Sequence, residues 1–424
     1  MTAVITGVGV VSAFGLGARA LATGLESGVS AVGPIRSFDA TTFPTRVAAE
    51  VPAVRTDAAW LAESLGSDPL LDEWEARGML RDRKTAFALL AAAEAWRQAG
   101  CGADERHAWL ALAVGLEQGF LEDLVPLLDD RGAIAWARQA DVVLPEMRFR
   151  SPVDLAARCV ARRLGLRGQV AVNVSACAAG ALAVAHAASL VERGVTSVAI
   201  CGGTDSLINP LALGGMSRIG APSPRQAPDA CRPFDSRRDG LAMGEGAAVF
   251  VIEDEARARA RGATPLARVL GWASTQDAYR PTAPLPDGRA AARAMSGALT
   301  RARVAPPDVG YVSAHGTGTP LGDVAEARAI RAVFGAHADR LPVSSIKGAV
   351  GHLMVASGAI ELASCLPVFA RDLLPGTANH VERDPDCDVD VIGPAPRRAR
   401  ADVVLSNSFG FGGQNCCVVL GRAA

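Results

Sequence analysis

Lysine is almost missing from this chain of 424 residues: of its 43 Lys and Arg side chains, only Lys84 and Lys347 are lysines. Basic side chains as a whole are not in excess, because the formal net charge is -1. No basic excess therefore argues for nucleic acids or acidic membrane surfaces as partners, and we expect neither. The rarity of lysine raises the specific question of what Lys347 does.

Long apolar runs and sorting signals are lacking as well. No segment approaches the roughly 20 uninterrupted apolar residues that span a bilayer. The N-terminal stretch MTAVITGVGVVSAFGLG has no basic region of a secretory signal and is typical of a first β-strand. We therefore expect no membrane span and place the protein in the cytoplasm. Since 50% of the residues are hydrophobic, the chain can bury a large core.

The motifs that indicate a bound cofactor are missing too. The sequence has no glycine-rich dinucleotide fingerprint with its acidic partner, no Walker P-loop and no HExxH. None of its nine cysteines shows CxxC spacing, which argues against a zinc site. We expect no nucleotide, no metal and no other cofactor, and most cysteines to be small core residues in a reducing compartment.

What the chain does contain is an α/β pattern that occurs twice. The first copy reads GQVAVNVSA, CAAGALAVAHAASLVERG, TSVAICGGTDSL and GEGAAVFVIED, and the second reads LPVSSIKGAV, GHLMVASGAIELASCLPVF, ADVVLSNSFGFGG and QNCCVVLG. Each copy has an apolar helix that must be covered, and packing the two helices together between two sheets would cover both. We predict duplicated halves at 1–255 and 256–424, although any α/β protein repeats strand, turn and helix.

The first candidate for chemistry is Cys177, which stands among alanines and a glycine where a strand turns into a helix. Functional sites of α/β proteins gather beyond the carboxyl ends of strands. The start of a helix favours the thiolate, which is the nucleophilic form of cysteine. An inert buried cysteine is the alternative, and at this turn we favour a nucleophile.

Two histidines are candidates to join it. His315 follows an apolar strand in YVSAHGTGTPLGD, and His352 in SSIKGAVGHLMVASG holds roughly the place in the second half that Cys177 holds in the first. A pseudo-twofold axis between the halves would bring the thiol and a histidine to one pocket. Lys347 and Glu361 flank His352, and we favour a buried ion pair between them over contact of Lys347 with a substrate anion.

A fourth element is SNSFGFGGQN, in which Phe409 precedes a run of glycines. Phe409 is a candidate gate, and its backbone N–H is a candidate oxyanion donor, although an ordinary glycine-rich turn explains the same pattern. A thiol with two histidines indicates acyl transfer through a thioester. A Cys–His–Asn hydrolase is the competing class, but no single His–Asn pair stands out and the apolar helices favour a tunnel over a peptide groove.

The chain resembles an elongating β-ketoacyl-[acyl-carrier-protein] synthase of the type II ketosynthases, in the thiolase superfamily. The resemblance covers nearly the whole chain and rests on VITGVGVVSAFG, SACAAG, RPFDSRRDGLAMGEGA, HGTGTPLGD, IKGAVGHLMVASGAIE and SNSFGFGGQN. It implies a duplicated five-layered α-β-α-β-α fold and substrates carried on the phosphopantetheine of an acyl carrier protein. It also implies a homodimer, or a heterodimer with a paralogous ketosynthase or chain-length factor.

The resemblance further implies a role for each candidate. Cys177 would take an acyl chain, with the N–H groups of Cys177 and Phe409 as the oxyanion hole. His315 and His352 would stabilise the enolate that forms when malonyl-carrier protein loses CO₂. That carbanion would attack the acyl-enzyme and give a β-ketoacyl product two carbons longer.

Lys347 and Glu361 would be the family's buried pair, which organises the site, and Phe409 its gating phenylalanine. In VGLEQGFL, Gln118 and Phe120 are predicted acyl-pocket residues, and the polar Gln118 indicates an unusual acyl group, so that specialised polyketide or aryl-polyene synthesis stands beside fatty-acid synthesis. Two alternatives remain: a non-catalytic partner subunit like a chain-length factor, and an acyltransferase that never decarboxylates.

Overall fold

The elements below come from a computed structural model in which residues 1–52, 54–116, 119–120, 125, 128–133 and 151–423 are described. The strands are β1 Ala3–Ser12, β2 Gly15–Leu16, β3 Gly33–Pro34, β4 Val47–Ala49, β5 Trp109–Val114, β6 Val170–Asn173, β7 Val198–Asp205, β8 Met243–Gly244, β9 Gly246–Asp254, β10 Ala267–Gln276, β11 Tyr311–Ser313, β12 Pro342–Ser344, β13 Leu373–Leu374, β14 Asp390–Val391, β15 Arg397–Arg398, β16 Val403–Gly410 and β17 Gln414–Arg422. The helices are α1 Ala18–Glu26, α2 Ala58–Leu65, α3 Pro69–Ala76, α4 Arg83–Gln98, α5 Leu155–Arg163, α6 Ala179–Glu192, α7 Pro210–Arg218, α8 Glu255–Ala260, α9 Arg289–Ala302, α10 Pro320–Phe334, α11 Lys347–Val350 and α12 Ser357–Arg371.

Two sets of strands with the same order form the central sheet. The first set runs β6-β5-β7-β9-β1, and the second runs β12-β11-β16-β17-β10. In each set the first three strands are parallel and the last two join antiparallel. The sets meet where β1 pairs with β10. Because strand order and direction both recur, the predicted duplication is confirmed.

Helices cover both faces of each set of strands. α4 packs on β1, β7 and β9, while α9 packs on β10 and β17 and against α10. α6 and α12 lie together in the middle. The layers therefore read α-β-α-β-α, as expected. Strands covered on both faces have near-continuous apolar sequences, and all eight residues of β7 are buried.

The two central helices cross at a pair of glycines. A Cβ added to Gly180 would lie 2.6 Å from the backbone nitrogen of Ala359, and a Cβ added to Gly358 would lie 2.7 Å from that of Ala181. Each glycine is the second residue of its helix. Only residues without a side chain allow backbones to approach this closely, so the crossing depends on both glycines.

One helical stretch among the described residues, Met354–Arg371, is long and apolar enough to cross a membrane, and 83% of it is buried inside the protein. It consists of α12 and the turn before it. A central helix of a large α/β core meets the same criteria of length and composition as a membrane span.

Both lysines are buried, each with 1% of its surface exposed. Lys84 contacts the carboxylate of Asp82, and its Nζ lies 3.1 Å from the carbonyl oxygen of Leu116 and 3.4 Å from Ser151 Oγ. Lys84 therefore links the end of β5 to the segment that leads into α5. Lys347 lies in the functional site described next.

Candidate active site

Cys177, His315 and His352 meet in one buried chamber between the halves. The sulfur and one ring nitrogen of each imidazole all lie within 4.8 Å of one another. The two ring centroids are 5.4 Å apart, with the rings nearly perpendicular. All three residues are buried, so the chemistry that they support takes place away from bulk water.

Cys177 lies in a short 3₁₀ turn, Ala176–Ala178, that leads directly into α6. The second half has the same turn at Met354–Ala356, leading into α12. Ala176 and Met354, which open these turns, have φ values of +47° and +46°, a left-handed conformation that is strained for residues with a Cβ. The nucleophile turn is therefore part of the duplication.

The turns correct one sequence expectation. The second-half residue that matches Cys177 is Val355, and His352 lies three residues earlier. The offset arises because His352 belongs to an extended segment that bridges to Met243, with its N–H donating to the carbonyl of Ala242. His352 therefore enters the chamber from this neighbouring segment. The pseudo-twofold axis between the halves does not relate it to Cys177.

The protonation state of Cys177 also differs from the expectation. Burial raises the pKa of the Cys177 thiol to about 11, while the positive charge of Lys347 and the N–H of Phe411 act in the opposite direction. Desolvation of a fully buried sulfur outweighs the effect of the helix start. The resting form is therefore the thiol, and the thiolate forms only during reaction.

The donor beside the sulfur is the N–H of Phe411, and this corrects the assignment to Phe409. Phe409 lies within β16, paired with Asn415, and its ring contacts the His315 ring edge-on at 5.8 Å. The N–H of Cys177 has no acceptor among the described residues. The N–H groups of Cys177 and Phe411 are therefore the pair available to an oxyanion, and a swinging gate at Phe409 has no support from its place in the strand.

The ring of His352 has a defined tautomer. Its Nδ1 accepts a hydrogen bond from the Met354 N–H at 3.0 Å and lies 2.8 Å from Ser357 Oγ. Burial lowers the pKa of His352 well below its ordinary value, and the charge of Lys347 acts in the same direction. A neutral imidazole that accepts at Nδ1 carries its proton at Nε2. His352 therefore offers Nε2–H as a donor.

His315 has the same tautomer for a different reason. Its Nδ1 lies 3.1 Å from Lys347 Nζ, and an ammonium can only donate, so that Nδ1 accepts. Burial, Lys347 and His352 lower the pKa of His315 well below its usual range. His315 is therefore a second neutral ring with its proton at Nε2, and the pair forms two fixed donors.

The expected ion pair between Lys347 and Glu361 is present and buried. Burial raises the pKa of Glu361 to about 7, against the lowering effect of Lys347. Lys347 Nζ also donates to the carbonyl oxygen of His315 at 2.5 Å. The only lysine in the second half thus joins the helix that carries Glu361 to the loop that carries His315, which explains its presence.

Two acidic residues that the sequence analysis missed hold this loop. Glu326 accepts from the N–H groups of His315 and Gly316 at 2.9 and 2.7 Å. Asp323 accepts from the N–H groups of Thr317 and Phe234 at 2.9 and 2.7 Å. Both carboxylates are buried, and burial raises the pKa of each. The available signal was their position, since Asp323 is the last residue of the motif HGTGTPLGD and Glu326 follows it by three residues.

A cavity of about 330 Å³ leads to the three central residues. Its wall includes Phe409, Phe411 and the hydroxyl-bearing residues Thr317 and Thr319. Leu321, at its edge, is 66% exposed. The cavity therefore connects the thiol with the surface along a mostly apolar path.

Of the two predicted acyl-pocket residues, the structure describes only Phe120. Gln118 lies outside the described residues. Phe120 is buried with the guanidinium of Arg81 4.0 Å above its ring, and it is not among the described residues that line the cavity. An acyl pocket at these positions stays a prediction.

A duplicated five-layered fold with a buried thiol, two neutral imidazole donors and a paired backbone N–H site defines the class of thiol-dependent acyl-transferring enzymes. Family models described as β-ketoacyl synthase, N-terminal domain and C-terminal domain match residues 2–258 and 266–381. The chain therefore belongs to the β-ketoacyl synthase family.

Individual relatives agree with this assignment. The chain is 38% identical over 418 residues to 3-oxoacyl-[acyl-carrier-protein] synthase 2 of Synechocystis sp., covering 97% of this chain and 96% of that protein. Among solved structures, the ishigamide ketosynthase/chain length factor has a TM-score of 0.86 at 32% identity, covering 100% and 99% of the two chains. A second solved structure is that of a type II polyketide synthase acyl-carrier protein in complex with its ketosynthase bound to the hexaketide. Its matching chain has a TM-score of 0.83 at 26% identity, covering 100% of this chain and 99% of that one.

Proposed function

We propose that this protein condenses a Cys177-bound acyl chain with malonyl-acyl-carrier protein by a decarboxylative Claisen reaction. The proposal rests on the positions of three atoms. The Cys177 sulfur and one ring nitrogen from each of His315 and His352 all lie within 4.8 Å of one another. Two neutral N–H donors beside a buried thiol suit a reaction that develops negative charge on a thioester oxygen.

The first step is acyl transfer. The Cys177 sulfur attacks the carbonyl carbon of an acyl thioester on the carrier's phosphopantetheine, and the bond from that carbon to the pantetheine sulfur breaks. The thiol proton of Cys177 goes to the departing pantetheine thiolate. The N–H groups of Cys177 and Phe411 donate hydrogen bonds to the transient oxyanion. Because this negative charge is absent from the bound thioester, the two donors stabilise the transition state more than the substrate.

The second step is decarboxylation and bond formation. Malonyl-carrier protein places its thioester oxygen at Nε2–H of His315 and His352, the C–C bond to the carboxylate breaks, and CO₂ leaves. The resulting enolate attacks the acyl-Cys177 carbonyl carbon, the bond from that carbon to the sulfur breaks, and the released thiolate takes up a proton from water to restore the thiol. Neutral rings suit this step, because both keep their proton and donate throughout.

The protons on Nε2 of His315 and His352 argue against a metal ion bound by these residues and Cys177. The spacing of Cys177, His315 and His352 would suit a metal ion. However, the nitrogen free to bind it is Nε2 in both rings, and Nε2 carries the proton as long as Met354 and Lys347 donate to Nδ1. We propose that the enzyme works without a metal or other bound cofactor.

We further propose the setting in which the reaction takes place. The partner is an acyl carrier protein, and the enzyme is a homodimer or a heterodimer with a paralogous ketosynthase or chain-length factor, working in the cytoplasm. Residues 1–255 supply the nucleophile and residues 256–424 the histidines. The ketosynthase/chain length factor and the ketosynthase bound to its carrier protein among the similar structures support these partners and a type II fatty-acid or polyketide pathway.

Intact-mass analysis of the purified protein after incubation with acyl-carrier proteins of different chain length tests the proposal. The wild type should gain the mass of one acyl group, Cys177→Ala should gain none, and His352→Ala should load without releasing CO₂ from malonyl-carrier protein. Cys101→Ala, at a half-buried cysteine, is the matched control and should behave as the wild type.

Each contrary result selects an alternative. Acylation of the Cys177→Ala protein would refute the nucleophile assignment. A wild type that loads but never releases CO₂ would be a non-decarboxylating acyltransferase, and one that does neither would be a partner subunit.

A further inference from the structure

The duplication gives the oxyanion site a counterpart in the other half. β7 and β16 each have eight residues, and each set of strands has the same order. The last residues of these two strands, Asp205 and Gly410, are therefore equivalent, and so are the residues that follow them, Ser206 and Phe411. The matched 3₁₀ turns equate Val355 with Cys177.

The counterpart has the same two backbone donors, and a side chain of the protein occupies it. The N–H groups equivalent to those of Cys177 and Phe411 belong to Val355 and Ser206. The Val355 N–H donates to Asp205 Oδ2 at 3.0 Å, and the Ser206 N–H donates to Asp205 Oδ1 at 2.8 Å. One carboxylate thus takes both donors, as an oxyanion would in the working site.

The last residue of the strand, Asp205 in one half and Gly410 in the other, determines whether a side chain fills the site. A Cβ added to Gly410 would lie 3.1 Å from the Cys177 nitrogen, so that a side chain at 410 would project toward the working donors as Asp205 projects toward Val355. The carboxylate is closely accommodated, because a Cβ on Gly115 would lie 2.0 Å from Asp205 Oδ1. Glycine at 410 leaves the working site free for substrate.

The filled site is linked to the catalytic chamber. The turn that Asp205 binds through the Val355 N–H also contains Met354, whose N–H donates to His352 Nδ1. Met354 has a φ of +46°, which is strained for a residue with a Cβ, and the hydrogen bond to Asp205 fixes the next residue of this turn, Val355, to the end of β7. The first-half turn has the same strain at Ala176 without such a bond, so the Cys177 N–H stays open.

We propose that Asp205 is a built-in anion that fills the second-half counterpart of the oxyanion hole and thereby positions His352 for decarboxylation. Asp205 is a positioning residue, since it acts on the histidine through the turn. The inference rests on the proposed condensing function and adds to it a residue of the other half.

The free-energy cost of burying the Asp205 carboxylate supports this role. The side chain is fully buried, and no described basic residue forms an ion pair with it. Burial raises the pKa of Asp205 to about 7, although the two N–H donors and Lys84 lower it. A buried carboxylate without an ion pair is costly. Its hydrogen-bond donors among the described residues are the two backbone N–H groups of the counterpart site, those of Val355 and Ser206.

The test separates the two half-reactions, acyl loading of Cys177 and CO₂ release from malonyl-carrier protein. Asp205→Ala should keep loading while losing CO₂ release by about tenfold or more, a change typical of a misplaced donor. Sodium formate should restore part of the CO₂ release by entering the vacated site, whereas sodium chloride should not. Asp205→Asn leaves no room for formate and should not be rescued.

Asp235→Ala is the matched structural control. Asp235 is also fully buried and accepts from two backbone N–H groups, those of Val381 and Glu382, both at 2.8 Å, and it additionally pairs with Arg237. Its removal should affect loading and CO₂ release equally and show no rescue by formate.

The reciprocal substitution tests the same idea without relying on the folding of the Asp205 variants. Gly410 does not have a positive φ, so its backbone admits aspartate. Gly410→Asp should place a carboxylate on the working donors and abolish acyl loading, while alkylation of Cys177 by iodoacetamide, which needs no oxyanion site, persists. Gly410→Ala should load more than Gly410→Asp.

The outcomes distinguish this inference from the proposed function. A wild type that releases no CO₂ would refute the proposed function itself. With an active wild type, equal changes of both half-reactions in Asp205→Ala, no response to formate, or normal loading by Gly410→Asp would each overturn the role of Asp205.

Discussion

Replacing Gly358 by alanine should destabilise the protein at the crossing of its two central helices. The new Cβ would lie 2.7 Å from the backbone nitrogen of Ala181 and 2.7 Å from Ser408 Oγ, so that backbone blocks it on one side and a buried strand on the other. Overpacking of this kind costs about 3 kcal/mol at the upper end of its range, and alanine regains about 1 kcal/mol of helix propensity. We expect a net loss of about 2 kcal/mol in the free energy of unfolding, measured by urea denaturation.

The chain offers a matched control in Gly215, a helical glycine of α7 with no atom within 4 Å of an added Cβ. Gly215→Ala should raise the free energy of unfolding by up to about 1 kcal/mol. Gly180→Ala should act like Gly358→Ala, and the double variant should lose less than the sum, since the first alanine already separates the helices. Equal effects of Gly358→Ala and Gly215→Ala would refute the close crossing.

Three further predictions concern the chemistry of the site. With the pKa of Cys177 raised to about 11, its thiolate fraction rises with pH. The rate of alkylation by iodoacetamide should therefore increase about tenfold per pH unit from pH 7 to 9, and a rate that stops rising below pH 8 would contradict the buried thiol. Lys347→Met should lower the free energy of unfolding, measured in urea, by about 3–5 kcal/mol because it leaves the Glu361 carboxylate without its cation. Adding Glu361→Gln should recover part of this loss, and no recovery would show that the two side chains are not coupled. Glu326→Gln removes an acceptor from the His315 loop and should slow CO₂ release about tenfold with acyl loading unchanged; a parallel fall in both would indicate general damage.

The convergence of Cys177, His315 and His352 was predictable because chemistry in a layered α/β fold gathers at strand ends, and a duplicated pattern brings two sets of strand ends together. The Lys347–Glu361 pair followed from the rarity of lysine and from its place beside an apolar helix. These inferences needed only local sequence and the repeat.

Other features depended on register, which sequence does not give. Phe409 and Phe411 lie two residues apart among the same glycines, and only the docking of Gly410 on the nucleophile turn shows which N–H faces the sulfur. The pKa of Cys177 was misjudged because the helix start is visible in the sequence and the extent of desolvation is not. Asp205 and Glu326 were missed because isolated acidic residues are usually solvated.

The burial of both lysines leaves the outside of this protein without a single ε-amino group. Thioesters react with accessible primary amines to form stable amides, so a protein that handles activated acyl groups at its surface is exposed to its own substrates. Here neither lysine side chain is open to such capture, because Lys84 and Lys347 are each only 1% exposed. The same feature means that amine-directed dyes, cross-linkers and supports would find no lysine side chain to react with on the folded protein.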